Sequence, residues 1–212
     1  MIAVEQARKM LIYVSREIVK SEPLLTAIDI KIGDGDHGTG MKIGFSNVEK
    51  ILKKNTYESM NMLFKDVGIT LIKTMGGASG VLFGTFFIGG LSSVPDSTQL
   101  TTSYFADYIA ASLESIHHRG KANVGDKTMI DALAPAVASL LKSKEENDEL
   151  DIALNKATTE AKIGVESTKG MCAKFGRARK FGQLAIGFQD AGATSIAIIF
   201  DSMSNWISKH GG

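Results

Sequence analysis

A single cysteine, Cys172, stands among 212 residues. No internal disulfide can brace such a chain, and a reducing compartment suits it. Charge of one sign is also lacking. Lys and Arg number 24 against 23 Asp and Glu, a formal net charge of +1, which leaves no electrostatic footprint for nucleic acid. Long apolar runs are missing too. The opening stretch MIAVEQARKMLIYVSREIVK is interrupted by Glu5, Arg8, Lys9, Arg16 and Glu17, and SIAIIFDSMSNWI is broken by Asp201. Neither reads as a leader or a membrane span, so a cytoplasmic protein without a membrane partner is expected. Prolines are few, three in all, and β-branched alternation of strand type is scarce, so little or no sheet is expected.

What the chain does have is glycine, 22 residues of it, gathered at 33–40, 76–80, 84–90, 120–125 and 176–192. Between these clusters the apolar residues recur at helical spacing. The pattern predicts helices over 2–20, 40–53, 57–75, 100–118, 127–142, 151–170 and 192–209. The segment VLFGTFFIGGL is apolar all round and reads as a buried helix, and KSKEENDELD (142–151) reads as a solvated connector. Hydrophobic residues make up 44% of the chain, enough for a real core. The expectation is an all-α fold of about eight antiparallel amphipathic helices in one domain, residues 1–212.

The glycine loops near Gly33, Gly76, Gly120 and Gly176 are spaced by roughly two helices each, every helix ~18 residues and ~27 Å long at 1.5 Å per residue. In an up-and-down arrangement every second connection lies at the same end. All four loops would then meet and build a single composite site.

The first loop, IDIKIGDGDHGTGM, holds Asp29, Asp34 and Asp36. Three carboxylates in a turn-rich segment repel one another unless a cation lies between them. With one His and no Cys nearby, the set suits a hard cation rather than zinc. The calcium-loop template fails, because its fifth and twelfth positions fall on Gly38 and Phe45. A magnesium site that leaves room for phosphate oxygens fits better. The plainer alternative makes Asp34 and Asp36 Asx-turn residues that cap a helix starting near Thr39.

The second loop, MGGASGVLFG, places Ser79 at a helix start, where free N–H groups favour anions. Close helix packing would also explain its small residues. In the third, HHRGKANVGDKTMID, Asp126 or Thr128 can cap a helix, and Arg119 and Lys121 would help neutralise phosphate or stay solvated. The fourth, KFGRARKFGQLAIGFQDAGATS, gathers Lys174, Arg177, Arg179 and Lys180 and ends at another helix start, at Asp190 and Gly192. His117, His118 and His210 have no ligand spacing. GDGDHG has a superficial likeness to a metallophosphoesterase piece, but the four histidines and the lack of strands do not supply the rest of that site. Carboxylates, helix N-termini and basic residues at one end describe a site for a metal-bound nucleotide.

In order and spacing, IGDGDHGTGM, GGASGVLFGTFF, RGKANVGDKTMIDAL, GRA and QDAGATS resemble the motifs of the L subunit of bacterial dihydroxyacetone kinases. The resemblance runs from about residue 5 to 208. It implies an eight-helix barrel with ADP or ATP and two Mg²⁺ ions at one end. Asp29, Asp34 and Asp36 would hold the metal. His37, Gly38, Thr39, Gly40, Ala78 and Ser79 would contact phosphates. Gly120 and Met129 would line the adenine site, and Arg177, Asp190, Gly192, Ala193 and Thr194 would complete it. The resemblance further implies that an M-type phosphotransferase-system protein rephosphorylates bound ADP, and that a separate K-type subunit holds dihydroxyacetone as acceptor. A regulator that binds nucleotide without catalysis, a different small ketose as acceptor, and a homodimer stay open. The fourth loop departs from the family pattern: Phe188 stands for a histidine, Ala191 for a proline, and RKFGQL for SYLGER. Those changes are expected at the rim, where partners dock.

Overall fold

The computed structural model describes residues 1–210. Its helices are α1 (Val4–Lys20), α2 (Glu22–Ile32), α3 (His37–Lys54), α4 (Met60–Met75), α5 (Gly77–Ile88), α6 (Thr102–Gly120), α7 (Ile130–Glu145), α8 (Leu150–Ser167) and α9 (Ala191–His210). Two 3₁₀ segments, Thr168–Gly170 and Arg177–Ala185, lie between α8 and α9. The only strands among the described residues are β1 (Ile2–Ala3) and β2 (Gln99–Leu100), one antiparallel pair. That pair explains why α1 starts at Val4 rather than at the expected residue 2.

Eight helices close a ring. Going round, α1 packs on α3, then come α4, α5, α6, α7, α8 and α9, and α9 returns to α1. Each helix turns its apolar face inward, so the ring interior is the core. Phe45, Phe86, Phe105, Tyr108 and Phe200 are fully buried there, with Phe64 and Tyr108 rings 4.8 Å apart and Phe86 and Phe87 4.9 Å apart. Such aromatic pairs add to the stability that burial alone supplies. Among the described residues no helix is long and apolar enough to cross a membrane.

The ninth helix, α2, is a correction to the expected count. The segment was read as turn-rich, yet Asp29 sits in the last turns of a helix opened by Pro23 near its N-terminus. Its apolar residues face both ways. Leu25 and Ile32 are buried while Leu24 and Ile30 are more than half exposed, so no clean 3.6-residue stripe marks it. Boundaries shift elsewhere. α7 begins at Ile130, not 127, because residues 121–129 turn through the left-handed region at Lys121 and Lys127. α7 also runs on through Glu145, which shortens the charged connector to residues 146–149.

α5 is apolar all round for a visible reason. A Cβ on Gly84 would lie 2.7 Å from the Gly68 carbonyl oxygen, and one on Gly68 would lie 2.6 Å from that of Gly84. The backbones of α4 and α5 touch, and only glycine permits it.

Candidate metal and anion site

Because the ring helices alternate in direction, α3, α5, α7 and α9 all begin at one end, and α4, α6 and α8 finish there. α2 ends there as well. A cavity of about 480 Å³ opens at this end, lined from every one of the four glycine loops. Asp29, Asp34, Asp36 and His37 form one wall. An apolar slot beside them is made by Leu82, Phe83, Ile116, Met129, Ile130 and Phe175. The convergence expected from loop spacing is what the fold delivers.

Each aspartate of the triad offers a carboxylate oxygen, and these lie within 4.8 Å of one another. α2 positions Asp29, and the tight reversal at Gly33 brings Asp34 and Asp36 back over it. A Cβ at Gly33 would sit 2.1 Å from Asp29 Oδ1, so this approach needs glycine. Asp36 occupies the N-cap position of α3 but makes no side-chain cap bond. The plain capping alternative therefore does not hold for it. The backbone N–H of His37 donates instead to Asp29 Oδ2, at 3.3 Å. Burial, then the charges of Asp34 and Asp29, raise the Asp36 carboxyl above its ordinary value, against the pull of Arg177. Three hard oxygen donors, whose mutual repulsion the single guanidinium of Arg177 offsets only in part, fit a magnesium-type ion.

Other polar groups are tied more firmly. His37 is held with its Nε2 2.8 Å from Ser195 Oγ and its ring against Phe83. Burial lowers its pKa, opposed by Asp29, so the imidazole is neutral at pH 7. Arg177 reaches across the cavity mouth, its Nε 2.7 Å from Asp34 Oδ2. Asp190 accepts from the Ala193 N–H at 2.7 Å, which caps α9, and burial pushes its carboxyl up to about 6. Asp131 accepts from the N–H groups of Gly125 and Thr128, fixing the turn before α7.

The profile of the DAK2 domain family matches residues 31–205. The chain belongs to the DAK2 family. This DAK2 chain is 39% identical over 180 residues to the "PEP-dependent dihydroxyacetone kinase, ADP-binding subunit DhaL" of Escherichia coli, which covers 85% of this chain and 86% of that one. It is 36% identical over 186 residues to a similarly named ADP-binding subunit of Listeria innocua, with 88% of each chain covered. Among solved structures it is similar to the dihydroxyacetone kinase of C. freundii in complex with AMP-PNP and Mg²⁺. The TM-score is 0.74 at 26% identity, covering 93% of this chain and 33% of that one.

The DAK2 cavity gathers most of the residues singled out in the sequence. Asp29, Asp34, Asp36, His37, Ala78, Ser79, Gly120, Met129, Arg177, Asp190 and Gly192 line it. Gly38, Thr39, Gly40, Ala193 and Thr194 do not. Gly38 packs under α2, where a Cβ would meet Thr26 Oγ1 at 2.2 Å. The Ala193 N–H is taken by Asp190, and Thr194 Oγ1 donates to the Asp190 carbonyl and accepts from Gln189. Arg119, left open between phosphate and solvent, stands at the cavity edge. Sequence reasoning passed over Lys127 and Phe175. Phe175 lay inside a basic run that drew attention to charge. Lys127 looked like any surface lysine, yet it is 1% exposed.

Proposed function

We propose that this chain is the nucleotide-carrying subunit of a dihydroxyacetone kinase, holding ADP as a standing cofactor with two Mg²⁺ ions in the cytoplasm. On this reading a phosphotransferase-system protein returns the bound ADP to ATP. The γ-phosphoryl then passes to dihydroxyacetone held by a separate K-type subunit. The observation that carries it is the composition of one cavity: a carboxylate triad, four helix N-termini and an apolar slot line a space of about 480 Å³. The names of relatives matched over nearly their whole length support the ADP and the donor.

Asp29, Asp34 and Asp36 would hold the metal, which when bound cancels phosphate charge and supplies electrostatic stabilisation to phosphoryl transfer. The chain's own residues do the positioning. The N-terminus of α5, at Ala78 and Ser79, offers unpaired backbone N–H groups to phosphate oxygens. Neutral His37, locked on Ser195, adds no competing positive charge and keeps the α3 start aligned. Met129, Leu82 and Phe83 exclude water from one face of the slot and take a flat base. Arg177 stands at the mouth to meet the outer phosphate. Arg179, Lys180 and Leu184 are exposed, Leu184 at 78%, with Lys180 in a cleft beside Asp34 and Arg177, and form the rim on which a partner docks.

Native mass spectrometry of the purified protein tests this reading. A mass increment of ADP plus magnesium is expected. Protein that emerges empty, and that shows no affinity for Mg-ADP on titration, would overturn it.

A further inference from the structure

Lys127 is anomalous twice. Its backbone sits in the left-handed region at φ 62°, where a lysine is disfavoured. Its side chain is 1% exposed, although lysine is almost never buried without a partner. The partners are two backbone carbonyls. Nζ donates to the Thr168 oxygen and to the Phe188 oxygen. Thr168 ends α8, so the ammonium also meets the negative end of that helix dipole.

These two carbonyls are the feet of one excursion. The chain leaves α8 at Thr168 and rejoins the barrel just before α9, and residues 169–187 lie between. The feet are also tied to each other: Gly187 N–H donates to the Lys169 oxygen at 2.7 Å and Asp190 N–H to Thr168 Oγ1 at 3.0 Å. The residue before Lys127 holds the middle. Asp126 is 5% exposed, and its Oδ1 accepts from Lys174 Nζ at 2.8 Å while its carbonyl accepts from the Lys174 N–H. Thus two consecutive residues of one turn grip the excursion at three points. The excursion carries Phe175, Gly176 and Arg177, a whole wall of the cavity.

We propose that Lys127 is a positioning residue for nucleotide binding: by pinning both feet of segment 169–187 it sets where Arg177 stands. This rests on the functional reading above, but the two can fail separately. Removing the ammonium takes away the one group bonded to both feet: the Phe188 carbonyl loses its donor and the Thr168 carbonyl keeps only the Met171 N–H, so the feet loosen and Arg177 loses its place.

The test is a double-mutant cycle on Mg-ADP affinity, measured by calorimetry, with limited trypsin digestion of the nucleotide-free single variant. Lys127→Met is expected to weaken ADP about tenfold in the wild-type background and less than about twofold when Arg177→Ala is already present. Trypsin should cut after Arg179 and Lys180 about tenfold faster in Lys127→Met than in wild type, because cleavage follows the open population. Equal losses in both backgrounds would mean that Lys127 touches the nucleotide itself or only stabilises the barrel, and would overturn the proposal. So would unchanged digestion. Should Lys127→Met not fold, Lys127→Gln goes through the same cycle, with a smaller non-additive loss expected. Wild-type protein without ADP affinity would overturn the functional reading, and the trypsin comparison would then decide the pinning alone.

Discussion

Of the four connections at the site end of the barrel, two are built in opposite ways. Between α4 and α5 two consecutive glycines, Gly76 at φ 71° and Gly77 at φ 60°, make the turn, and the two helices then meet backbone to backbone at Gly68 and Gly84. Between α8 and α9 the chain takes residues 168–190, of which Ala173 and Ala185 pack with Ile32 in a small apolar cluster apart from the main core. The first crossing is fixed by close packing, where a single added carbon is felt. The second is fixed by a handful of polar ties to Lys127, Asp126 and Asp34. A cavity walled by both has one side that cannot yield and one that yields tie by tie.

Ligand removal should reveal the largest effect, because a nucleotide held as proposed would touch both walls. A ligand that binds only the folded state stabilises by about 4 kcal/mol at a thousandfold excess over Kd. EDTA with dialysis should therefore lower the melting temperature clearly, and an unchanged melting curve would mean that nothing spans the cavity. Next comes the triad between the walls. Asp36→Asn is expected to weaken ADP by about a hundredfold or more, since the diphosphate would face the remaining carboxylates without its full metal complement. Calorimetry giving wild-type affinity would remove Asp36 from the metal site.

The comparison of walls can be made directly with alanine. Gly84→Ala places a methyl 2.7 Å from the Gly68 oxygen, and urea unfolding should show a loss of about 1–3 kcal/mol. Gly170→Ala, on the other crossing, has open space around its Cβ and should stay within about 0.5 kcal/mol of wild type. Equal losses at the two positions would erase the distinction. Arg177→Ala should cost about tenfold in ADP affinity through a lost charge-assisted contact. Smallest of all is the rim. Arg179→Ser with Lys180→Tyr should leave ADP affinity within about threefold while changing the rate of phosphoryl exchange with a partner subunit. A collapse of ADP affinity in that double variant would place these residues in the pocket.

The stiff wall was legible in the sequence, and the tied wall was only partly so. Amphipathic helices declare themselves by period, which is why the ring and the meeting of its glycine loops could be anticipated. α2 could not, since Leu24 and Ile30 remain exposed beside buried Leu25 and Ile32 and blur the stripe. The aspartate triad was legible because three carboxylates within eight residues need a compensating charge. Lys127 left no such signal. Its partners are backbone carbonyls, which every residue owns, and a left-handed lysine has no marker in the one-letter code. Gly38, Gly40, Ala193 and Thr194 came with the motifs that surround them, but a helix turns neighbouring residues to different sides, and only some of each motif reaches the cavity.

The closed feet of segment 169–187 make it a replaceable module. Its anchors, Lys127 and Asp126, lie outside it, and its own ends are bonded to each other. What runs between them can therefore change in length and character without disturbing the ring, as surface loops on rigid scaffolds do. The stretch RKFGQLAIGF, which departs most from the family pattern, falls almost wholly inside that module. Phe175, Gly176 and Arg177 line the cavity from the first half of the module, so the freedom to drift belongs to the stretch that follows them.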